Sequence, residues 1–233
     1  MRRLLPEGVA TAECRADLAS AVLFPAEERV IARAAPRRRA EFATARACAR
    51  DALGQLGIAP RAIPVGEQGE PLWPDGVIGS ITHCDGYRAA AVARADELLC
   101  VGIDAEVNAP LRERVSARIG SALELARARA AAPEASAGRL VFSAKEAAFK
   151  AWRPLGADAL RLRTIEILVE TGGEVRASTT AASGVRPREL RGRWDLADGV
   201  IRVAFAEPRA LGGAGRASAM HEVALRLDPP ALG

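Results

Sequence analysis

The spacing of apolar and polar positions divides the chain into a helical opening, a group of short strands, a helical middle and a second group of strands. Between Glu27 and Leu56 apolar residues recur at helical spacing, with a break or kink expected near Pro36. In "RRRAEFATARACARDALGQLG", Phe42, Ala45, Ala49, Leu53 and Leu56 fall near one face, and Gly57 supplies a stop. Arg46 and Arg50 lie four apart and so share a face. After the Gly/Pro-rich loop "PVGEQGEPLWPDG", the runs "VIGSIT", "YRAAAVAR" and "LLCVGID" read as strands. The last is apolar and ends abruptly in acid, as a strand running into an active-site edge would.

In the second half, "NAPLRERVSARIG" reads as a helix capped by Asn108 with Pro110 in its first turn. Residues 121–132 read as a helix, 133–138 as a loop, and 139–153 as a helix stopped near Pro154. The β-like runs "RTIEILVE", "EVRAST" and "ELRGRWDLADGVIRVAFAE" follow, with Asp198-Gly199 as a hairpin signal, and a last run lies near "HEVALRL". Both halves place helix before antiparallel strands. The expected fold is α+β, with two similar lobes, 1–108 and 109–233, sharing one cleft.

Composition narrows the partners. The 233 residues carry a net charge of +4, with 4% aromatics and one tyrosine. Dense basic stripes interleaved with stacking aromatics are missing, so a nucleic-acid partner is not expected. A mildly basic surface fits either general solvation or an anionic, phosphate-bearing ligand. The four cysteines form no CxxC pair, which points to reduced thiols and a cytoplasmic protein. Pro6, Glu7 and Glu13 interrupt any signal-peptide core, and no apolar run reaches the ~18 residues of a membrane span.

Three short stretches carry candidate chemistry. In "VGIDAE", Asp104 and Glu106 project to the same side of an extended segment. Two adjacent carboxylates behind an apolar run either end a solvated strand or hold a hard cation such as Mg²⁺. In "FSAKEAAFKAW", Glu146 and Lys150 share a helix face, which by itself also describes an ordinary surface pair. Lysine is scarce, however: Lys145 and Lys150 are the two lysines among 33 Lys and Arg residues. A surface pair here would be expected to use arginine, whereas a compact ammonium suits a point contact to one phosphate oxygen. In "GSITHCDGY", His83 is either a structural histidine or, with Thr82, a phosphate contact at a strand end.

The blocks "RRRAEFATARACARDALGQLG", "GEQGEPLWPDGVIGSITHCDGYRAAAVA", "LLCVGIDAEVNAPL" and "VFSAKEAAFKAW", in this order, resemble the 4′-phosphopantetheinyl transferases, in particular the enterobactin synthetase component D-like branch. The resemblance implies two α/β lobes related by a pseudo-twofold, with coenzyme A in the cleft between them. It implies transfer of the phosphopantetheine arm to a serine of an acyl or peptidyl carrier protein in siderophore, polyketide or peptide synthesis, by a monomer. It assigns Mg²⁺ (or Mn²⁺) to Asp104, Glu106 and Glu146. Lys150 and Lys145 are expected at the phosphates, Arg38, Arg46 and Arg50 at the nucleotide end, and Thr82, His83 and Asp104 against coenzyme A. Glu146, directly or through a metal-bound water, is the expected base, with Lys150 beside it. One departure stands out: the loop between Arg61 and Arg88 contains no Lys or Arg, where relatives often carry basic residues.

Overall fold

A computed structural model describes residues 1–156, 160–179, 186 and 188–209. The expected run near "HEVALRL", with His221, lies outside them. Pro36 does not kink a continuous helix. It opens one: α1 (Pro25–Ile31) ends and α2 (Pro36–Gln55) begins with proline in its first turn. The face read from the spacing is the packed one, since Ala45, Ala49, Ala52 and Leu53 are buried together with Ala90 and Val92 of the first sheet.

That sheet has the order β1-β3-β2, built from β1 (Ala10–Cys14), β2 (Val77–Cys84) and β3 (Tyr87–Arg94), all antiparallel. The sequence reading missed β1, whose five small and polar residues carry no clear alternation. The second sheet has the order β4-β8-β7-β6-β5, from β4 (Leu98–Val107), β5 (Ile165–Val169), β6 (Glu174–Thr179), β7 (Glu189–Ala197) and β8 (Val200–Pro208). Asp198 and Gly199, both with positive φ (52° and 74°), make the β7–β8 turn as expected.

Two expectations need correction. Counting residues 1–108 as one lobe puts β4 with the first sheet, but β4 pairs along its length with β8, from Leu98↔Pro208 to Val107↔Val200. The break between the sheets therefore falls before β4. Asn108 does not cap a helix. Its side chain bridges Glu134 O and Ser136 N (3.1 and 2.7 Å), and α3 (Glu113–Ile119) starts only after Arg112. The helix α4 (Ala122–Ala131) is closed by a Ser121–Glu124 capping box.

Two edge strands, β2 and β4, face each other where the sheets meet. Side chains, rather than a backbone ladder, join them. Ile103 N–H donates to Ser80 Oγ and Ala105 N–H to Thr82 Oγ1, each at 3.1 Å. These bonds satisfy amides on the β4 edge that β8 does not reach. Over β4 and β8 lies α5 (Ala137–Trp152), whose inner face is Ala144, Ala147, Ala148, Ala151 and Trp152. Small residues let the helix backbone come close, and Gly102 of β4 brings it closer still. A Cβ at Gly102 would lie 2.6 Å from Ala151 N and nearer yet to Ala147 O.

Gly102→Ala is therefore expected to push α5 off β4 and to cost ~1–3 kcal/mol, read as a fall of several degrees in Tm. An unchanged melting curve would mean that the close approach carries no weight.

Candidate active site

β4 delivers Asp104 and Glu106 to the side of the strand that faces α5 and β2. Asp104 is buried and fully partnered. Its Oδ1 accepts from Lys150 Nζ at 2.6 Å and from Thr82 Oγ1 at 3.2 Å, and its Oδ2 accepts from Ser143 Oγ at 2.9 Å. Lys150 also donates to Ile103 O at 3.3 Å. Glu106 Oε2 accepts from Arg139 Nη1 at 2.6 Å. At ~100° per residue, Arg139, Ser143, Glu146 and Lys150 fall within about 60° of one another on α5. One helix face thus supplies two cations and a hydroxyl to the strand acids, and adds a third acid.

Glu146 is the exception among these carboxylates. It has neither a hydrogen bond nor an ion pair among the described residues. Burial pushes its carboxyl above the usual glutamate range; Lys150 opposes this, while Asp104 and Glu106 reinforce it. Glu106 is raised for the same reason, burial first and then the charge of Asp104, against the pull of Arg139.

At the end of β2, His83 meets Arg38 of α2, its Nε2 accepting from Arg38 Nη1. Burial lowers the His83 pKa and the Arg38 charge lowers it further, which favours the neutral ring. Arg38 is largely exposed, with Glu41 at 3.6 Å. Thr82, Asp104, Glu146, Lys150, His83 and Arg38 therefore line the junction of the two edge strands.

Three expected site residues lie elsewhere. Lys145 is 3% exposed and pairs with Glu124 of α4 at 3.0 Å. It sits ~100° around the helix from Glu146, on the face turned to α4. Glu124 also accepts from Ser121 N and Ile167 N, and these bonds together with Lys145 outweigh burial and hold its carboxyl below the usual range. Arg46 and Arg50 converge on Glu27, which is fully buried. Arg50 Nη1 donates to both Glu27 oxygens at 2.9 and 3.0 Å, and Arg46 donates to Ile63 O at 3.1 Å. Burial lowers the Arg46 pKa to about 10. Glu27 also accepts from the amides of Phe24 and Ile63, so it ties α1, α2 and the following loop together. Arg46 and Arg50 are held inside the lobe as counter-ions, not presented on an open face.

Comparison with known proteins identifies the family. Residues 26–93 match the 4′-phosphopantetheinyl transferase N-terminal domain, and residues 100–200 match the 4′-phosphopantetheinyl transferase superfamily. The chain is 43% identical over 201 residues to 4′-phosphopantetheinyl transferase Svp of Streptomyces mobaraensis, covering 83% of this chain and 82% of that one. It is 41% identical over 216 residues to 4′-phosphopantetheinyl transferase Npt of Nocardia iowensis, covering 87% and 97%. The chain belongs to the 4′-phosphopantetheinyl transferase family. Enterobactin synthase component D of Salmonella typhi is 35% identical over 120 residues, half of each chain, in keeping with the expected branch. The break between the two matched regions, 93 to 100, coincides with the break between the two sheets.

Can these transferase residues hold a divalent cation? The donors suit one: three carboxylates, all oxygen, on facing elements. Among the described residues, though, no three Asp, Glu, His or Cys side chains are gathered into a metal-holding cluster. The reason is visible in the pairing. Asp104 and Glu106 are each engaged by a cation from α5, and only Glu146 is unengaged. The donor chemistry fits, and the Lys150 ammonium and the Arg139 guanidinium supply positive charge to two of the three acids.

Ser143, Arg139 and Glu27 were not foreseen. Ser143 and Arg139 had a usable signal, since they sit three and seven residues before Glu146 on its helix face. Glu27 had none, because a glutamate in a first helical turn reads as solvated.

Two outcomes follow for the transferase. Glu146 binds its proton more tightly when folded than when unfolded, so the charged form costs stability, and that cost grows as pH rises through the raised folded pKa. With chelator present, Glu146→Gln should melt like wild type at low pH and above it at pH 8; parallel melting curves across pH would contradict this. Lys145→Ala strands Glu124 in the interior and should cost ~3 kcal/mol without touching metal affinity. A stable Lys145→Ala protein with weakened metal binding would return Lys145 to the site.

Proposed function

We propose that the chain moves the 4′-phosphopantetheine arm of coenzyme A onto a serine hydroxyl of an acyl or peptidyl carrier protein, releasing adenosine 3′,5′-bisphosphate. The observation that carries this reading is the convergence of Asp104, Glu106, Glu146 and Lys150 beside Thr82 and the Arg38–His83 pair, at the seam of two edge strands. The relatives' names support the reaction class.

In the transfer, the serine Oγ forms a bond to the phosphorus that carries the pantetheine arm. The bridging P–O bond breaks, and the electron pair leaves with the adenosine 3′,5′-bisphosphate. Asp104, Glu106 and Glu146 would hold Mg²⁺, which when bound neutralises pyrophosphate charge and acts as a Lewis acid. Lys150 reaches the same cleft as a point charge and offsets the charge of the departing bisphosphate. Arg38 and the N–H groups near His83 orient the nucleotide phosphates. The serine proton must leave near the transition state. Glu146, directly or through a metal-bound water, is the fitting acceptor, because Asp104 and Glu106 are each paired with a cation and Glu146 has no ion pair among the described residues. Positioning and charge neutralisation then supply most of the rate, as in other phosphoryl transfers.

The deciding experiment mixes the protein with apo carrier protein, coenzyme A and Mg²⁺ and weighs the carrier by mass spectrometry. A gain of one phosphopantetheine arm is expected. No gain across a panel of siderophore, polyketide and peptide carriers sinks the proposal, and loss of the arm from holo carrier would indicate a phosphodiesterase instead. Asp104→Ala and Glu146→Ala should each lower transfer ~100-fold or more while the protein stays folded. Lys150→Arg should also be slow, because a planar fork does not replace a compact ammonium at 2.6 Å from Asp104.

A further inference from the structure

We propose that Arg139 is a resident counter-ion that competes with a divalent cation for Glu106, so that this arginine tunes how tightly the metal site would bind. The inference rests on the metal assignment made above and concerns a residue that the reading of the reaction leaves unused.

Arg139 lies two helical turns before Glu146, on the same face of α5. It does not extend into solvent. Nη1 donates to Glu106 Oε2 at 2.6 Å, and Nε lies 3.4 Å from Ala109 O, at the end of β4. The pair is partly shielded, with side-chain exposures of 28% and 20%, so it keeps more of its Coulomb energy than a surface pair does.

The arrangement has a clear physical cause. The charge of Asp104 makes Glu106 harder to ionise, and Asp104 and Glu106 do the same to Glu146, so without cations the three charges would repel. Lys150 neutralises Asp104 and Arg139 neutralises Glu106, from opposite ends of one helix face. A guanidinium on Glu106 weakens the same carboxylate for a metal ion: it takes up one lone pair of Oε2, and the two positive charges repel. Metal binding at Glu106 therefore competes with an internal ligand. Lys150 is assigned above to the phosphates, whereas Arg139 donates to Glu106 and to Ala109 O, just past the end of β4. Arg139 is thus a positioning residue. It neutralises Glu106 in the metal-free protein and opposes the charge of an incoming cation.

The test is direct binding of Mn²⁺ to the full chain, followed by electron paramagnetic resonance, with and without coenzyme A. Removing the competing charge should tighten binding, so Arg139→Met and Arg139→Gln are each expected to hold Mn²⁺ ~5-fold more tightly than wild type. Arg139→Lys keeps a charge near Glu106 and should stay close to wild type. With chelator, Arg139→Gln should melt below wild type and should gain more from added Mn²⁺ than wild type gains. Equal or weaker Mn²⁺ binding in folded Arg139→Gln overturns the proposal and points to a plain structural pair. If Arg139→Met does not fold, the Gln and Lys variants decide the question. Absence of Mn²⁺ binding in wild type and variants, even with coenzyme A, overturns it together with the metal assignment. The transfer reading is decided separately, by the mass gain of the carrier.

Discussion

The site depends on how closely α5 can approach β4. Glycine at 102 on the strand and alanines at 144, 147, 148 and 151 on the helix remove the side chains that would hold the two backbones apart. Side-chain reach then decides what can meet. Lys150 has a long stem and Ser143 a short one, yet both contact the same carboxylate, one at each oxygen. A helix several ångströms further out would leave Ser143 short of Asp104 and would let water between Asp104 and Lys150. The ion pair would then behave as a solvated one, of little energetic weight.

The same approach creates a problem that charge must solve. It brings Glu146 toward two strand acids that already repel each other, within a partly dry junction. Burial raises Glu146 and Glu106, and neighbouring acids raise them further. Lys150 and Arg139 offset two of the three charges, and the hydroxyls of Thr82 and Ser143 satisfy what remains of Asp104. Of the three acids, Glu146 alone has no partner among the described residues. Stability would be higher with an apolar residue there, which marks it as a position where fold and function pull in opposite directions.

Much of this was legible in the sequence, and the residues that were not share a physical reason. Spacing alone put Glu146 with Lys150, Asp104 with Glu106, and the β7–β8 turn at Asp198-Gly199, because those relations are local. The lobe assignment of β4 was not local: its partner, β8, lies about a hundred residues on, and nothing in "LLCVGIDAE" names it. The helix arginines misled for a similar reason. Arg46 and Arg50 share a face, as read, but that face is turned to Glu27 of another helix. Motif resemblance locates a residue along the chain. It does not say whether the side chain is already engaged.

The two lysines show why composition was informative without being specific. Both lysines hold a compact ammonium against a carboxylate, Lys150 on Asp104 and Lys145 on Glu124. At position 150 the ammonium sits between a carboxylate and a main-chain carbonyl, 31% exposed, at the junction of β2 and β4. At position 145 it sits almost fully buried beside a carboxylate oxygen already shared with the Ile167 amide. A guanidinium brings five donors that need acceptors, and the interior around Glu124 offers few. Lysine scarcity therefore marks narrow charged niches, of which the cleft is one. The burial of Lys145 stabilises the joint between α4, α5 and β5, and so holds the helix that carries Glu146 and Lys150 at its working distance from β4.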